Sequence, residues 1–226
     1  MTAASSAQDD PLVRGLETTV DETVAALKAD PVFSTIFDGT ASREVYLKYL
    51  ERTYHYVNYT TVQLKQAARV FADRPGELEQ AMHQRFVHHA KEEHGHELWV
   101  LDDIRAIGGD ADAAIKADPG LAVKAYLSMA ELVLGSRTPL AFIGLGGLLE
   151  GISAQLGTLA ATNMRSHSKI PNVGNALKFF DSHGEADTVH IIEQRETLVK
   201  IRGEEDRRAL LVCAQMTAFQ YRHLLA

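Results

Sequence analysis

Ten histidines in a chain of 226 residues are the first chemical signal, because they are clustered. Five fall between His83 and His96, and His183 and His190 share a second segment. In the first, His88-His89-Ala90-Lys91-Glu92-Glu93-His94-Gly95-His96-Glu97-Leu98-Trp99, Glu93 and His96 are three apart. That spacing puts both on one face of a helix, where helical carboxylate proteins ligate an ion with two residues of one turn. Glu92 and His96, four apart, serve nearly as well, so both glutamates stay open. His88 and His89, one turn earlier, read as supporting or surface residues. In the second segment, His183, Asp187 and His190 fall within roughly 60° of one another at about 100° per residue. Two imidazoles and a carboxylate in one stripe suit ferrous iron, manganese or zinc. Glu185 falls on another side of the same helix.

The third signal is Glu150, the one ionisable side chain between Thr138 and Met164. A carboxylate among Leu148, Leu149 and Ile152 is expensive to ionise without a partner. A neutral glutamate, a partner arginine or an exposed helix edge would relieve that cost; a metal ion would turn it into binding. Taken together, Glu92 or Glu93, His96, Glu150, His183, Asp187 and His190 supply three carboxylates and three imidazoles. Two divalent ions need about that many, with open positions left for small molecules. The catalytic candidates are therefore Glu93, His96, Glu150, His183, Asp187 and His190.

The elements that must position these residues are all helical. Apolar residues recur three and four apart, and no stretch alternates for long. Helices are expected at 11–29, 42–72, 76–107, 119–134, 138–166, 172–201 and 204–225, with a short turn near Val32–Phe37. Each of the six prolines sits where a helix could begin, and Asp10, Asp30 and Asp118 precede prolines as candidate N-caps. Gly108-Gly109 ends the third helix. The apolar run from 138 to 164 has the length of a membrane span. Glu150, Ser153, Gln155, Asn163, five glycines and a single basic residue at each end argue instead for a buried central helix. Gly147 and Gly151 would let a helix or ligand approach its backbone.

Composition narrows the class. The balance of 23 basic against 30 acidic residues disfavours nucleic-acid binding. A single cysteine, Cys213, excludes an internal disulfide and a Cys-based zinc site. Residues 1–10 carry no export signal, so a flexible tail is expected, followed by one domain over 11–226 in the cytoplasm. The fold class is a single-domain, all-α, seven-helix bundle.

At these motifs the sequence resembles the heme-oxygenase-like di-iron oxidase and oxygenase superfamily, which shares its fold with heme oxygenase, the TenA thiaminases and the PQQ-synthesis oxidase. His183-x3-Asp187-x2-His190 resembles the family's third metal-binding segment, and Phe179-Phe180-Asp181-Ser182 the approach to it. Leu148-Leu149-Glu150-Gly151 resembles the central-helix glutamate segment, and Glu92-Glu93…His96-Glu97-Leu98-Trp99 the first segment. Some members carry a longer insert between the first glutamate and its histidine. The resemblance covers residues 30–201. Heme binding in this fold uses a histidine on the first helix, and none precedes His55. A TenA-type reaction needs a pocket cysteine, and Cys213 lies on the last helix.

The resemblance implies two Fe(II) per chain, the second labile, with O2 as co-substrate and a small organic substrate. The chemistries known in the family are N-oxygenation of amines, oxidative C–C cleavage and conversion of fatty acids to alkenes, and the reaction expected here is N-oxygenation of an amine or amino acid, or oxidative C–C cleavage. It also implies a homodimer, and an external reductant is an expected partner; the charge balance and the buried central helix leave neither nucleic acid nor membrane as an expected one. Tyr54 and Asn58, on the tyrosine-rich helix near His55, are the candidate substrate contacts. A metal- or ligand-binding protein without turnover, and a zinc or manganese hydrolase on the same ligands, are the competing readings.

Overall fold

A computed structural model describes residues 9–226, the side chains of residues 185 and 186 excepted. Residues 1–8 of the expected tail, and the expectation for Glu185, lie outside it. Among the described residues ten α-helices run in the order α1 (Pro11–Ala29), α2 (Phe33–Phe37), α3 (Arg43–Ala72), α4 (Glu77–Glu92), α5 (His96–Ala106), α6 (Ala111–Lys116), α7 (Gly120–Leu134), α8 (Phe142–His167), α9 (Lys178–Leu198) and α10 (Glu204–Arg222). There is no strand among the described residues.

The expected seven become ten for identifiable reasons. The predicted 76–107 helix breaks where Gly95 takes φ +91°, which separates α4 from α5. Asp110 caps an additional short helix, α6, by accepting from Ala113 N at 3.0 Å, and the turn near Val32 is a full helix, α2. Pro171 opens not a helix but a loop with a 3-10 turn at Val173–Asn175, so α9 starts only at Lys178.

Capping largely follows the aspartates. Asp10 accepts from Leu12 N at 2.8 Å and pairs with Arg207 on α10 at 2.5 Å. The end of the expected tail is thus tied into the bundle at Asp10, because its carboxylate serves a helix N-terminus and a guanidinium at once. Asp30 accepts from Val32 N and Phe33 N, and Asp118 from Gly120 N.

Helix α8 is the axis. It is long and apolar enough to cross a membrane by length and composition, but most of it is buried inside the bundle. Its glycines are contact points. A side chain at Gly144 would strike the Leu210 carbonyl on α10, one at Gly151 would strike Val20 on α1, and one at Gly157 would come within 3.1 Å of Gly184 on α9. The expectation of close approach at Gly147 and Gly151 is therefore met by protein: the Gln194 side chain lies over Gly147.

One core cluster packs Leu148, Ile152 and Leu156 with Tyr46, Tyr49 and Phe180; a second packs Phe142, Ile143 and Leu145 with Phe71 and Phe86. Asp103 on α5, fully buried, accepts from Lys178 N and Phe179 N at 3.0 Å each. Burial pushes its carboxyl up to about 6, although both amides favour the charged form. This tertiary cap fixes the first turn of α9 to α5 and sets the position of everything downstream on α9.

Candidate metal centre

Three helical segments converge where the two core clusters meet. The α4–α5 junction supplies His89, Glu93 and His96, α8 supplies Glu150, and α9 supplies His183, Asp187 and His190. Their ligand atoms form two groups, His89 with Glu150 and His190, and Glu93 with His96 and His183. Within each group those atoms lie inside 4.8 Å of one another.

Glu93 joins the groups. Its Oε2 is 3.0 Å from His96 Nδ1 and 3.9 Å from His183 Nε2, and its Oε1 is 3.4 Å from His89 Nε2. His89 Nε2 in turn is 3.7 Å from Glu150 Oε1. Burial works to raise the Glu93 carboxyl, but hydrogen bonds from His183, His89 and His96 outweigh it and hold the group well below the usual carboxylate range. Burial opposes the charge on His89 and His183 as well, yet Glu93 leaves both with raised values. Burial, with the Asp187 charge adding to it, pushes Glu150 up against the opposing pull of His89, His190 and Arg85. Its Oε2 is buried and has no hydrogen-bond partner among the described residues.

The ring orientations have causes. His183 Nδ1 donates to the Phe179 carbonyl at 3.1 Å, one turn back, which leaves Nε2 free toward His96 Nδ1 at 3.2 Å. Phe179 lies against the His183 ring at 4.2 Å, and Trp99 stacks on His96 at 4.0 Å. His190 Nδ1 donates to Asp187 Oδ1 at 3.2 Å, which leaves Nε2 free, 3.7 Å from Glu92 Oε2.

The hydrogen bond to Asp187 lifts His190 to about 9. Its folded value therefore exceeds the unfolded value of about 6.5. The stabilisation is complete below pH 6.5 and is lost as pH rises through about 9. In metal-free protein this contributes at most about 3 kcal/mol. Urea melts of chelator-treated protein from pH 6 to 9.5 should show the decline, and Asp187→Asn should flatten it. A metal on His190 must displace that proton, so metal affinity should rise over the same interval.

Most of the sequence candidates are brought together, with corrections. Glu93 is buried between three imidazoles, whereas Glu92 is 40% exposed, 3.1 Å from His88 and 3.7 Å from His190. Asp187 is buried beside His190 but belongs to neither three-residue group. His89, read from the sequence as supporting or surface, is a full member. The signal that could have found it is its i, i+4 relation to Glu93 on α4, which the Glu-x-x-His spacing draws attention away from. Glu93 and His96 do not meet across a helical turn either. Glu93 is the C-cap just past α4, His96 begins α5, and the Gly95 turn folds one onto the other while Thr61 Oγ1 donates to the Glu93 carbonyl at 3.2 Å.

A cavity of about 130 Å³ opens beside both groups and is lined by His89, Glu93, Glu150, His183 and Asp187. Neither Tyr54 nor Asn58 reaches it. Tyr54 is buried against His55 with ring centres 5.4 Å apart, and Asn58 faces outward. The face of α3 that lines the cavity carries Tyr56, Val57, Thr60, Gln63 and Leu64 instead. A helix this rich in tyrosine has a wide apolar face, and periodicity does not say which neighbour occupies which side of it.

Comparisons with known proteins agree with this architecture. The sequence profile of a family described as iron-containing redox enzymes matches residues 47–221. A domain of unknown function with a heme oxygenase-like fold from Shewanella denitrificans OS217 superposes with a TM-score of 0.81 at 23% identity, over 93% of this chain and 88% of that one. A TenA homolog from Pseudomonas syringae pv. tomato DC3000 gives 0.80 at 11% identity, over 100% and 96%. The TenA homologue from P. horikoshii OT3 gives 0.71 at 12%, over 95% and 96%. At these identities the structural neighbours establish the heme oxygenase-like fold alone. No curated protein sequence matches the chain.

Proposed function

We propose that this chain, which belongs to the iron-containing redox enzyme family, is a non-heme di-iron oxidase or oxygenase acting on a small organic molecule with O2 as co-substrate. The observation that carries this reading is a pair of three-residue groups beside one cavity, linked by the 3.4 Å approach of Glu93 Oε1 to His89 Nε2. The donor set fits iron: imidazole nitrogens and carboxylate oxygens with no thiolate. The partnerless Glu150 Oε2 is the strongest local sign, because a buried acceptor without a donor is costly. His96, His183 and Glu93 would hold one ion. His89, Glu150 and His190 would hold the other, with Asp187 orienting His190 or adding an oxygen. Bound iron would supply electrons and a coordination site for dioxygen. The chain's own tasks are positional. The Phe179 carbonyl and Asp187 hold the Nδ1 protons of His183 and His190, so each ring presents Nε2. The apolar cavity wall excludes water and orients the substrate.

A thiol reaction of the TenA kind has little support. Cys213 is buried in the core away from the cavity lining, and burial pushes its thiol up to about 12. The glycine run of α8 is packed by Leu210 and Gln194 at Gly144 and Gly147, where a heme would need space. Protein purified without chelators and loaded anaerobically with Fe(II) should hold up to two irons per chain and consume oxygen when aerated. Retained zinc with no oxygen uptake after iron loading would leave the hydrolase reading in its place.

A further inference from the structure

The C-terminal end of α4 repeats one pairing on two faces. His88 with Glu92 and His89 with Glu93 are both i, i+4 pairs, offset by a single residue. The inner pair is buried, its side chains 14% and 9% exposed, and its members belong to the two ligand groups. The outer pair is 69% and 40% exposed, with His88 Nε2 3.1 Å from Glu92 Oε1. Glu92 also faces inward: its Oε2 is 3.7 Å from Nε2 of His190, a member of the His89–Glu150–His190 group. No other exposed carboxylate among the described residues pairs with an imidazole of either group. The His190 and His89 ring centres are 4.9 Å apart, and His89 Nε2 is 3.4 Å from Glu93 Oε1. Donor atoms therefore follow one another in file from solvent to the second group.

A surface His–Glu pair at this spacing is ordinarily a solvated contact that adds little to its helix. This one stands in front of a buried site that a hydrated cation cannot reach in one step, because shedding water without replacement ligands is costly. The cavity is a poor route for a cation. Its wall beyond the donor groups is mostly apolar and aromatic, and it carries the Arg85 guanidinium, which repels positive charge. The outer pair instead lies at the C-terminus of α4, where the partial charges of the last carbonyls favour cations. We propose that His88 and Glu92 form a transient entry station for a divalent metal ion, that Glu92 hands the ion to His190, and that neither is a ligand of the loaded centre. The inference rests on the metal reading. It gives the ion a path of its own and leaves the cavity to the organic molecule.

Anaerobic stopped-flow mixing of metal-free protein with Fe(II) reads uptake, and a bipyridine chelator added to loaded protein reads release. Trp99, the chain's one tryptophan, stacks on His96 and reports arrival at the Glu93–His96–His183 group through its fluorescence. His88→Gln and Glu92→Gln should each slow uptake and release by the same factor, at least fivefold, with final iron content and affinity equal to wild type. A station that is only passed through changes both rates and not their ratio, whereas a resident ligand changes the ratio. Both side chains are exposed, so the variants should fold, which far-UV circular dichroism checks. His88→Gln removes an imidazole and no carboxylate, which separates ligation from charge. Glu193→Gln, one turn beyond His190 on a half-exposed side chain, removes a nearby charge outside the file and should change uptake less than twofold. The slowing should persist in about 1 M salt, where charges are screened beyond about 3 Å. Unchanged rates in either variant, a loss of final iron in either, equal slowing by Glu193→Gln, or a slowing that salt abolishes overturns the proposal and leaves the metal reading in place. A wild type that takes up no iron overturns both.

Discussion

Glu93→Gln should empty both metal positions, taking iron from up to two per chain to nearly none under loading conditions that fill the wild type. One oxygen of this carboxylate faces His89 and the other faces His96 and His183, so a neutral amide weakens both groups at once. The same substitution should destabilise the metal-free protein. Removing one partner from a buried charge cluster leaves the others uncompensated, typically at a cost of about 3–5 kcal/mol. The sign with pH is definite. Glu93 has a folded value well below its unfolded one of about 4.3, so its stabilisation is present above that pH and is lost as pH falls through the folded value. In the variant, His89 and His183 lose the anion that raised them, and the deficit should shrink above pH 7, where free imidazoles are neutral. Iron analysis with urea melts at pH 6 and pH 8 reads both effects. Glu92→Gln, on a side chain 40% exposed, is the control that should keep its iron. A Glu93→Gln protein that retains one iron per chain would confine the residue to a single site, and one that retains two would remove it from the ligand set.

Glu150→Leu should separate stability from function in the opposite direction. The wild-type carboxylate is buried on α8 with an unpartnered Oε2, and burial raises its pKa. Its only close ionic partner among the described residues is His89, at 3.7 Å. Replacing a strained buried charge by an apolar residue of similar volume is often neutral or favourable. The metal-free variant should therefore melt at or above wild type, by about 1 kcal/mol in stability. Iron should then raise the melting temperature of wild type much more than that of the variant, because binding to the folded state stabilises by mass action. Four anaerobic melts, wild type and variant with and without Fe(II), decide the matter. Equal iron-induced shifts would show that Glu150 holds no metal.

Helix class, most helix ends and five of the six residues that the fold gathers into the two candidate groups were legible from the amino acids alone, for local reasons. Period-three-and-four patterning, aspartate caps and the 183–187–190 stripe are properties of one helix and need no knowledge of its neighbours. An isolated Glu150 in an apolar run announces itself because desolvation is costly wherever the chain goes. What tertiary structure decided is the pairing. The choice of Glu93 over Glu92 depends on a left-handed turn at Gly95 that splits the predicted helix and folds His96 back onto it. His89 becomes a member only because α8 and α9 bring Glu150 and His190 within reach of its ring, an approach made possible by the Gly157–Gly184 contact. The cavity face of α3 passed over Tyr54 and Asn58 because helical spacing defines an apolar stripe but not which part of it packs and which borders empty space. Spacing along a chain specifies which residues share a face, whereas the distance between faces is set by how closely two backbones approach, and here Gly157 and Gly184, on two different helices, control that approach.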